Sequence, residues 1–361
     1  MKIPINIPDI GKEEIREVTT VLSEKSLTSS SFDGGKRVQQ FEKLLSKFVK
    51  SKFAVAVNSG TAALQASLYA IGIKPGDEVL VPSFTFVATA NSVKSVGAKP
   101  VFVDILKDNY TMDPDDLRKK ITRRTKAILP VHLYGHMAYM DEILEIAKKR
   151  NIKIIEDASQ SLGSKLKGKH SGTFSHLGCF SLYGVKVITS GEGGAIVTND
   201  KKLFEKLKQI RNHGLSKNNL TTTLGLNLRL SEIGAAIAKV QMKKLPRLIN
   251  ERKKNAQILT ELLENQDVIP PTQRKNETVN WYLYTIAIKN RNKIMKKLNS
   301  SGIGARVYYS PSIHETPYYK TRLRLPNTEW AASNVISLPV HPKVRKVDLV
   351  KMKKIISGSS S

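Results

Sequence analysis

The sequence predicts an α/β fold: a largely parallel sheet covered by helices on both faces, followed by a smaller C-terminal α+β domain. Three observations carry this. Strand-like apolar runs alternate with amphipathic helical patterns between residues 51 and 156, the pattern of crossover connections between parallel strands. Beyond Asn199-Asp200 the pattern turns mostly helical. The length, 361 residues, suffices for one large domain with a sizeable core and a smaller second one.

Taken in order, the apolar run Phe53-Ala54-Val55-Ala56-Val57 reaches the turn Asn58-Ser59-Gly60-Thr61 and opens a helix over 61–71. A strand is predicted over 78–81, a helix over 89–96 and a strand over 100–104. Asp113-Pro114 then starts a helix, with Asp as N-cap and Pro at the first helical position. A strand over 127–131, a helix over 140–150 and a strand over 152–156 complete the alternation. In such sheets ligands bind beyond the carboxyl ends of the strands, so the residues following each run are the candidates for chemistry. Further on, the pattern predicts a long helix over 230–245 that ends or kinks at Pro246, a strand over 281–288 and a helix over 294–300. The domain boundary is placed at Pro246, giving a large domain, 1–246, and a small one, 247–361. The tail Ser357-Gly358-Ser359-Ser360-Ser361 is expected to be disordered.

Hydrophobic residues make up 40% and charged residues 25% of the chain, as in an ordinary soluble globular protein. The first eight residues have neither the apolar core nor the cleavage site of a signal peptide. No apolar run is long enough for a bilayer, since 79–87 is interrupted by Pro82 and Ser83. The single cysteine, Cys179, allows no intramolecular disulfide, which fits a cytoplasmic protein. It lies in the apolar stretch 177–182 and reads as a small buried hydrophobe rather than a nucleophile. The net charge of +28 raises a regulatory or nucleic-acid-binding role. Yet the basic residues are scattered. The densest groups are Lys243, Lys244, Arg247, Arg252, Lys253 and Lys254, then Lys289, Arg291, Lys293, Lys296 and Lys297. They fall on amphipathic helical patterns and read as solvated faces. With no RNA-recognition, zinc-finger or basic-zipper pattern present, composition argues against a nucleic-acid partner.

Three motifs carry chemistry. Asn58-Ser59-Gly60-Thr61 joins a strand to a helix N-terminus, where free N–H groups and the helix dipole favour an anion; alone it is equally a simple N-cap. Ile152 to Gln160 is an apolar strand ending in Glu156-Asp157, one carboxylate free to point into a site and the other away. In the run from Phe180 to Gly194, one lysine, Lys186, sits among apolar residues before the turn Gly191-Glu192-Gly193-Gly194. A lysine in an apolar setting has a depressed pKa and can form a Schiff base; the alternative is a surface lysine at a strand end.

In that order, Asn-Ser-Gly-Thr, Glu-Asp-Ala-x-Gln and Ser-x-Tyr-x-x-Lys with Gly-Glu-Gly-Gly resemble the DegT/DnrJ/EryC1/StrS family of nucleotide-sugar aminotransferases. The likeness continues at Gly76 to Phe86, Val131-His132-Leu133-Tyr134-Gly135, Arg211-Asn212-His213-Gly214 and Gly225-Leu226-Asn227-Leu228-Arg229, covering about Ile7 to Pro342. The resemblance implies a pyridoxal-phosphate-dependent transferase of fold type I, and a homodimer with active sites at the subunit interface. Carried over by position, Lys186 holds pyridoxal 5'-phosphate and Asp157 pairs with its ring nitrogen. Gln160 lies near the ring hydroxyl and Phe86 stacks on the ring. Gly60, Thr61 and Ser181 hold the phosphate, which Asn227 reaches from the other subunit. Tyr183, Glu192 and Arg229 receive no assigned role, and His314 is taken for a solvated loop residue. Val185, Leu182 and Gly234 depart from the usual family pattern, which bears on substrate rather than activity; a branch with His for the lysine catalyses dehydration, and Lys186 argues against it. Within the family the likeness points to enzymes resembling GDP-perosamine synthase, using glutamate to aminate GDP-4-keto-6-deoxymannose. A UDP- or dTDP-linked 3-keto or 4-keto sugar is the alternative.

Overall fold

The computed structural model describes residues 2–358. Two helices, α1 (Lys12–Ser23) and α2 (Lys36–Val49), precede strand β1 (Phe53–Val57) and helix α3 (Gly60–Ala70). The alternation then runs β2 (Glu78–Pro82), α4 (Ala88–Ser95), β3 (Lys99–Val103), α5 (Pro114–Lys120), β4 (Thr125–Ile128), α6 (Met140–Arg150) and β5 (Lys153–Asp157). Each expected element of this stretch is present, its ends within about three residues of the sequence pattern. Asp113 caps α5, accepting from the Asp115 amide at 2.8 Å, with Pro114 at the first position.

Two short strands, β6 (Lys165–Leu166) and β7 (Lys169–His170), lead to β8 (Leu177–Ser181), β9 (Gly194–Thr198) and α7 (Lys201–Arg211). The main sheet has the order β1-β9-β8-β5-β4-β2-β3. Only β9 opposes the rest: its pairings with β1 and β8 are antiparallel, and those from β8 across to β3 are parallel. Successive side chains along a strand face opposite layers. Val79, Val81 and Ile155 therefore pack with α3 and α4, while Leu80, Ile128 and Ile154 pack with Ile143 and Ile146 of α6. A sheet buried on both faces demands the near-continuous apolar runs seen in the sequence.

The C-terminal part contains α8 (Glu232–Leu263), β10 (Glu277–Thr278), β11 (Tyr284–Ala287), α9 (Arg291–Ser300), α10 (Pro326–Asn334), β12 (Val335–Leu338) and α11 (Lys346–Ser357). Of the end or kink expected at Pro246, the end does not occur: α8 runs through it for 32 residues. Its first half packs on α1 and α2 and its second on α11, so tertiary contacts offset the hydrogen bond proline cannot donate. A separate apolar cluster, including Ala256, Leu259, Tyr284, Leu298 and Met352, joins the end of α8 to β11, β12, α9 and α11. We therefore propose that the small domain starts within α8. Two basic residues expected on solvated faces, Arg252 and Arg291, are buried. Of the tail expected to be disordered, Ser357 ends α11 and Gly358 is its C-cap, while 359–361 lie outside the described residues. No helix among the described residues is long and apolar enough to cross a membrane.

Candidate active site

The carboxyl edge of the sheet collects the three motifs. After β1, Ser59 takes an extended conformation and caps α3, its Oγ accepting from the Ala62 amide at 3.0 Å. The first-turn amides of Gly60 and Thr61 have no intrahelical acceptor and face the helix N-terminus. Gly60 permits a close approach: a Cβ there would lie 2.9 Å from Ser181 Cβ and 3.2 Å from Ser181 Oγ. The Ser181 hydroxyl at the end of β8 thus sits against the turn. The start of β9 presses on it too, since a Cβ on Gly194 would fall 2.3 Å from Ser59 O and 2.8 Å from Gly60 N. The glycine-rich turn before β9 has a packing reason at Gly194.

The two carboxylates ending β5 point opposite ways. Glu156 is fully buried and accepts from the amides of Gly172, Phe174 and Ser175 at 2.7–2.8 Å, from Ser175 Oγ at 3.0 Å, and pairs with His132 Nε2 at 3.0 Å. It is a structural anchor for the loop leading into β8. Asp157, also buried, accepts among the described residues only from neutral donors, Thr89 Oγ1 at 2.9 Å and the Ser159 amide at 3.1 Å. Its charge acts on Lys186. A buried carboxylate without a hydrogen-bonded cation has the capacity to take one.

Lys186 stands in the turn after β8, its amide donating to Tyr183 O at 2.9 Å. Its ammonium lies 4.6 Å from the centre of the Tyr282 ring. The residue as a whole is only half-buried, but its amine is enclosed enough that burial lowers its pKa to about 8, against the opposing pull of Asp157 and then Tyr183. Ser159, Gln160, Ser181, Lys186, Asn280 and Tyr282 line one small cavity. A roomier groove lies elsewhere, between the C-terminal ends of α5 and α6, and holds none of these groups.

Gln160 is pinned at both ends of its amide, accepting from the Tyr134 amide at 2.9 Å and donating to Tyr309 Oη at 3.1 Å. The Tyr309 ring lies 6.0 Å from that of Phe86, which is 55% exposed and free to cover a planar ligand. Gly60, Asp157, Gln160, Ser181, Lys186 and Phe86 thus gather at one edge. Thr61 is exposed at its rim. Asn227 is exposed as well; its carbonyl accepts from Asn58 Nδ2 at 3.3 Å, beside the turn. His314, expected to be solvated, is buried, with Nδ1 2.8 Å from Ser83 Oγ; that hydroxyl, 231 positions away, was invisible in the local sequence. Thr89, Tyr282 and Tyr309 were not anticipated either, since nothing in their local sequence distinguishes them from core residues. Cys179 is buried and 3.2 Å from Ser67 Oγ, its thiol pKa pushed up by burial, as expected of a structural residue.

Residues 8–356 match the DegT/DnrJ/EryC1/StrS aminotransferase family. The UDP-2-acetamido-2-deoxy-3-oxo-D-glucuronate aminotransferase of Pseudomonas aeruginosa is 38% identical, over 85% of this chain and 86% of its own. The GDP-perosamine synthase of Escherichia coli is 33% identical over 96% of each. A putative sugar aminotransferase from Streptococcus pneumoniae, solved in its PLP form, superposes with a TM-score of 0.92 at 28% identity, covering 100% of this chain and 99% of that one.

Proposed function

The chain belongs to the DegT/DnrJ/EryC1/StrS aminotransferase family, whose enzymes depend on pyridoxal phosphate, and from that premise we propose that it transfers an amino group from glutamate to GDP-4-keto-6-deoxymannose, giving GDP-perosamine. The observation that carries the aminotransferase chemistry is that Lys186, its pKa lowered by burial, feels the charge of Asp157, a buried carboxylate whose hydrogen-bond donors among the described residues are neutral; the choice of sugar is supported by the likeness to the GDP-perosamine synthases. Pyridoxal phosphate supplies an electron sink for the carbon that loses a proton. Asp157 would keep a proton on the ring nitrogen. The amides of Gly60 and Thr61, with the Ser181 hydroxyl, would hold the phosphate; Gln160 would serve the ring hydroxyl and Phe86 the ring face. Lys186, its amine enclosed beside Tyr282, would take the proton from the donor's α-carbon as base and return a proton as acid.

The same reading makes the enzyme a homodimer in which Asn227 completes the partner's phosphate site. Leu220 and Leu224, in the loop before Asn227, are 64% and 61% exposed, as suits a surface covered by a second copy. The single, buried cysteine suits the cytoplasm. The name of the Pseudomonas relative favours a second reading, a UDP-linked 3-keto sugar, and a dTDP-linked sugar is of the same class. The test incubates the protein and glutamate with GDP-, UDP- and dTDP-linked 3-keto and 4-keto sugars. An amino sugar from GDP-4-keto-6-deoxymannose is expected, and product from a UDP- or dTDP-linked sugar alone selects the second reading. Colourless protein that gains no visible band with pyridoxal phosphate, and aminates nothing, would sink both.

A further inference from the structure

Arg252 lies in the middle of α8 and is among the largest fully buried side chains. No carboxylate pairs with it among the described residues. Instead Nη2 donates to Asn6 Oδ1 at 2.7 Å, and Nη1 to the carbonyls of Trp281 and Tyr282 at 3.4 Å each. Its Nε finds no partner among the described residues. Burying a cation among carbonyls alone is costly, so its position calls for a reason other than stability.

The reason lies on the far side of Asn6. That amide spends its oxygen on Arg252 and on the Ile7 amide, and turns its Nδ2 to the carbonyls of Val185 and, at 3.3 Å, Lys186. Arg252 therefore reaches both sides of one amine. Through Asn6 it holds the backbone that carries Lys186. Through the Tyr282 carbonyl it holds the residue whose ring lies 4.6 Å from the Lys186 ammonium. The N-terminal segment is itself tied down, with Ile3 bridged to Ile303 and Pro4 O accepting from His341 Nε2 at 3.0 Å.

We propose that Arg252 and Asn6 are positioning residues that fix the backbone of Lys186 against Tyr282, so that its amine returns to one place as it leaves and re-engages the cofactor. This rests on the assignment of Lys186 as the cofactor lysine. A group moved by about an ångström from productive geometry can lose about a hundredfold in rate. The other bonds of this loop close its ends, at Leu182, Thr189, Ser190 and Gly191, whereas the peptides of Val185 and Lys186 at its tip are held by Asn6 and by Lys186 N to Tyr183 O.

Asn6→Asp isolates the link. The carboxylate still accepts from Arg252, but sets an oxygen against the carbonyls of residues 185 and 186. The full-length chain, freed of cofactor, is given pyridoxal phosphate and quenched with borohydride at intervals, and the labelled peptide is identified. Capture at Lys186 should slow by about tenfold or more. The kcat of the holoenzyme should fall by a similar factor, with KM for glutamate within about twofold. Capture and kcat at wild-type rates, with only a lowered melting temperature, would mark Asn6 as merely structural and overturn the proposal. If Asn6→Asp does not fold, Arg252→Lys, which keeps the cation but loses the fork that reaches Asn6 and Tyr282 together, is judged by the same two rates. Label on a lysine other than 186 in the wild-type protein refutes the underlying assignment instead.

Discussion

At the end of β5 the pleat of the strand turns two neighbouring carboxylates to opposite sides, and their surroundings give them separable phenotypes. Glu156→Gln would set a neutral amide against three backbone N–H groups, and each lost or unpaired bond costs about 1–3 kcal/mol. Its melting temperature should fall while the folded fraction keeps its activity. Asp157→Asn keeps an acceptor for Thr89 and Ser159 but cannot hold a pyridinium proton, so it should melt near the wild-type temperature and lose most turnover. The reverse pattern in the paired melting and rate measurements would reassign the two. Lys186 adds a pH dependence. Its folded pKa of about 8 lies below the 10.5 of an unperturbed lysine. Between those values the unfolded chain binds more protons, so stability rises with pH there, and the burial cost is fully present below about 8. Capture of pyridoxal phosphate needs the neutral amine and should rise with a midpoint near pH 8, whereas a midpoint above about 10 would mean the amine is not enclosed. Lys186→Ala should lose turnover by at least about 10²–10⁴-fold and fold normally in the same assays. At this scale Lys186 and the Glu156-Asp157 pair were legible, because lone lysines and paired carboxylates stand out against apolar runs. Which carboxylate faced the site came from the family resemblance, which pointed to Asp157, and not from the local pattern, because that depends on amides of residues 172–175 folding back onto Glu156. Arg252 read as one of a charge run for the same reason: its acceptors lie far away in sequence.

Between β8 and β9, elements rather than single side chains shape the turn at Ser59 and Gly60, proposed to hold the phosphate. Gly194 starts β9 so close to Ser59 and Gly60 that a methyl group there must displace backbone, a contact no rotamer can relieve. Gly194→Ala should therefore weaken retention of pyridoxal phosphate by about tenfold or more, read by equilibrium dialysis, since helix-terminus anion sites depend on amide placement. Gly184→Ala, where the nearest atom would be 3.9 Å away, should retain the cofactor normally. Equal retention in both variants would show that the turn does not bind the phosphate. The alternating elements from β1 to β5 were readable because each carries its own periodicity and caps. The antiparallel β9 was not, since strand direction depends on which neighbour it joins. The run of α8 through Pro246 was not either: a local rule predicts a break, and packing against α1, α2 and α11 overrides it.

In the whole molecule, the edge that carries the candidate site leaves large apolar groups exposed. Phe86 and Tyr183 are half exposed beside it, and Leu220 and Leu224 project from the loop before Asn227. The proposed dimer covers these groups and brings Asn227 to the partner's phosphate. This is testable by complementation, because a symmetric interface makes two equivalent mixed sites. Lys186→Ala removes the amine from its own site. Asn227→Asp puts a negative charge near the phosphate of the other. When the two inactive proteins exchange subunits, one site of each heterodimer collects both lesions and the other collects neither. An equal mixture at exchange equilibrium has half its dimers mixed, with one intact site in each, so activity should return to about a quarter of the wild-type value. Mass spectrometry on one isotope-labelled partner establishes that exchange has occurred. Exchange without recovered activity would mean that Asn227, whose carbonyl already accepts from Asn58 of its own chain, serves its own subunit, and that the exposed loop meets some other surface.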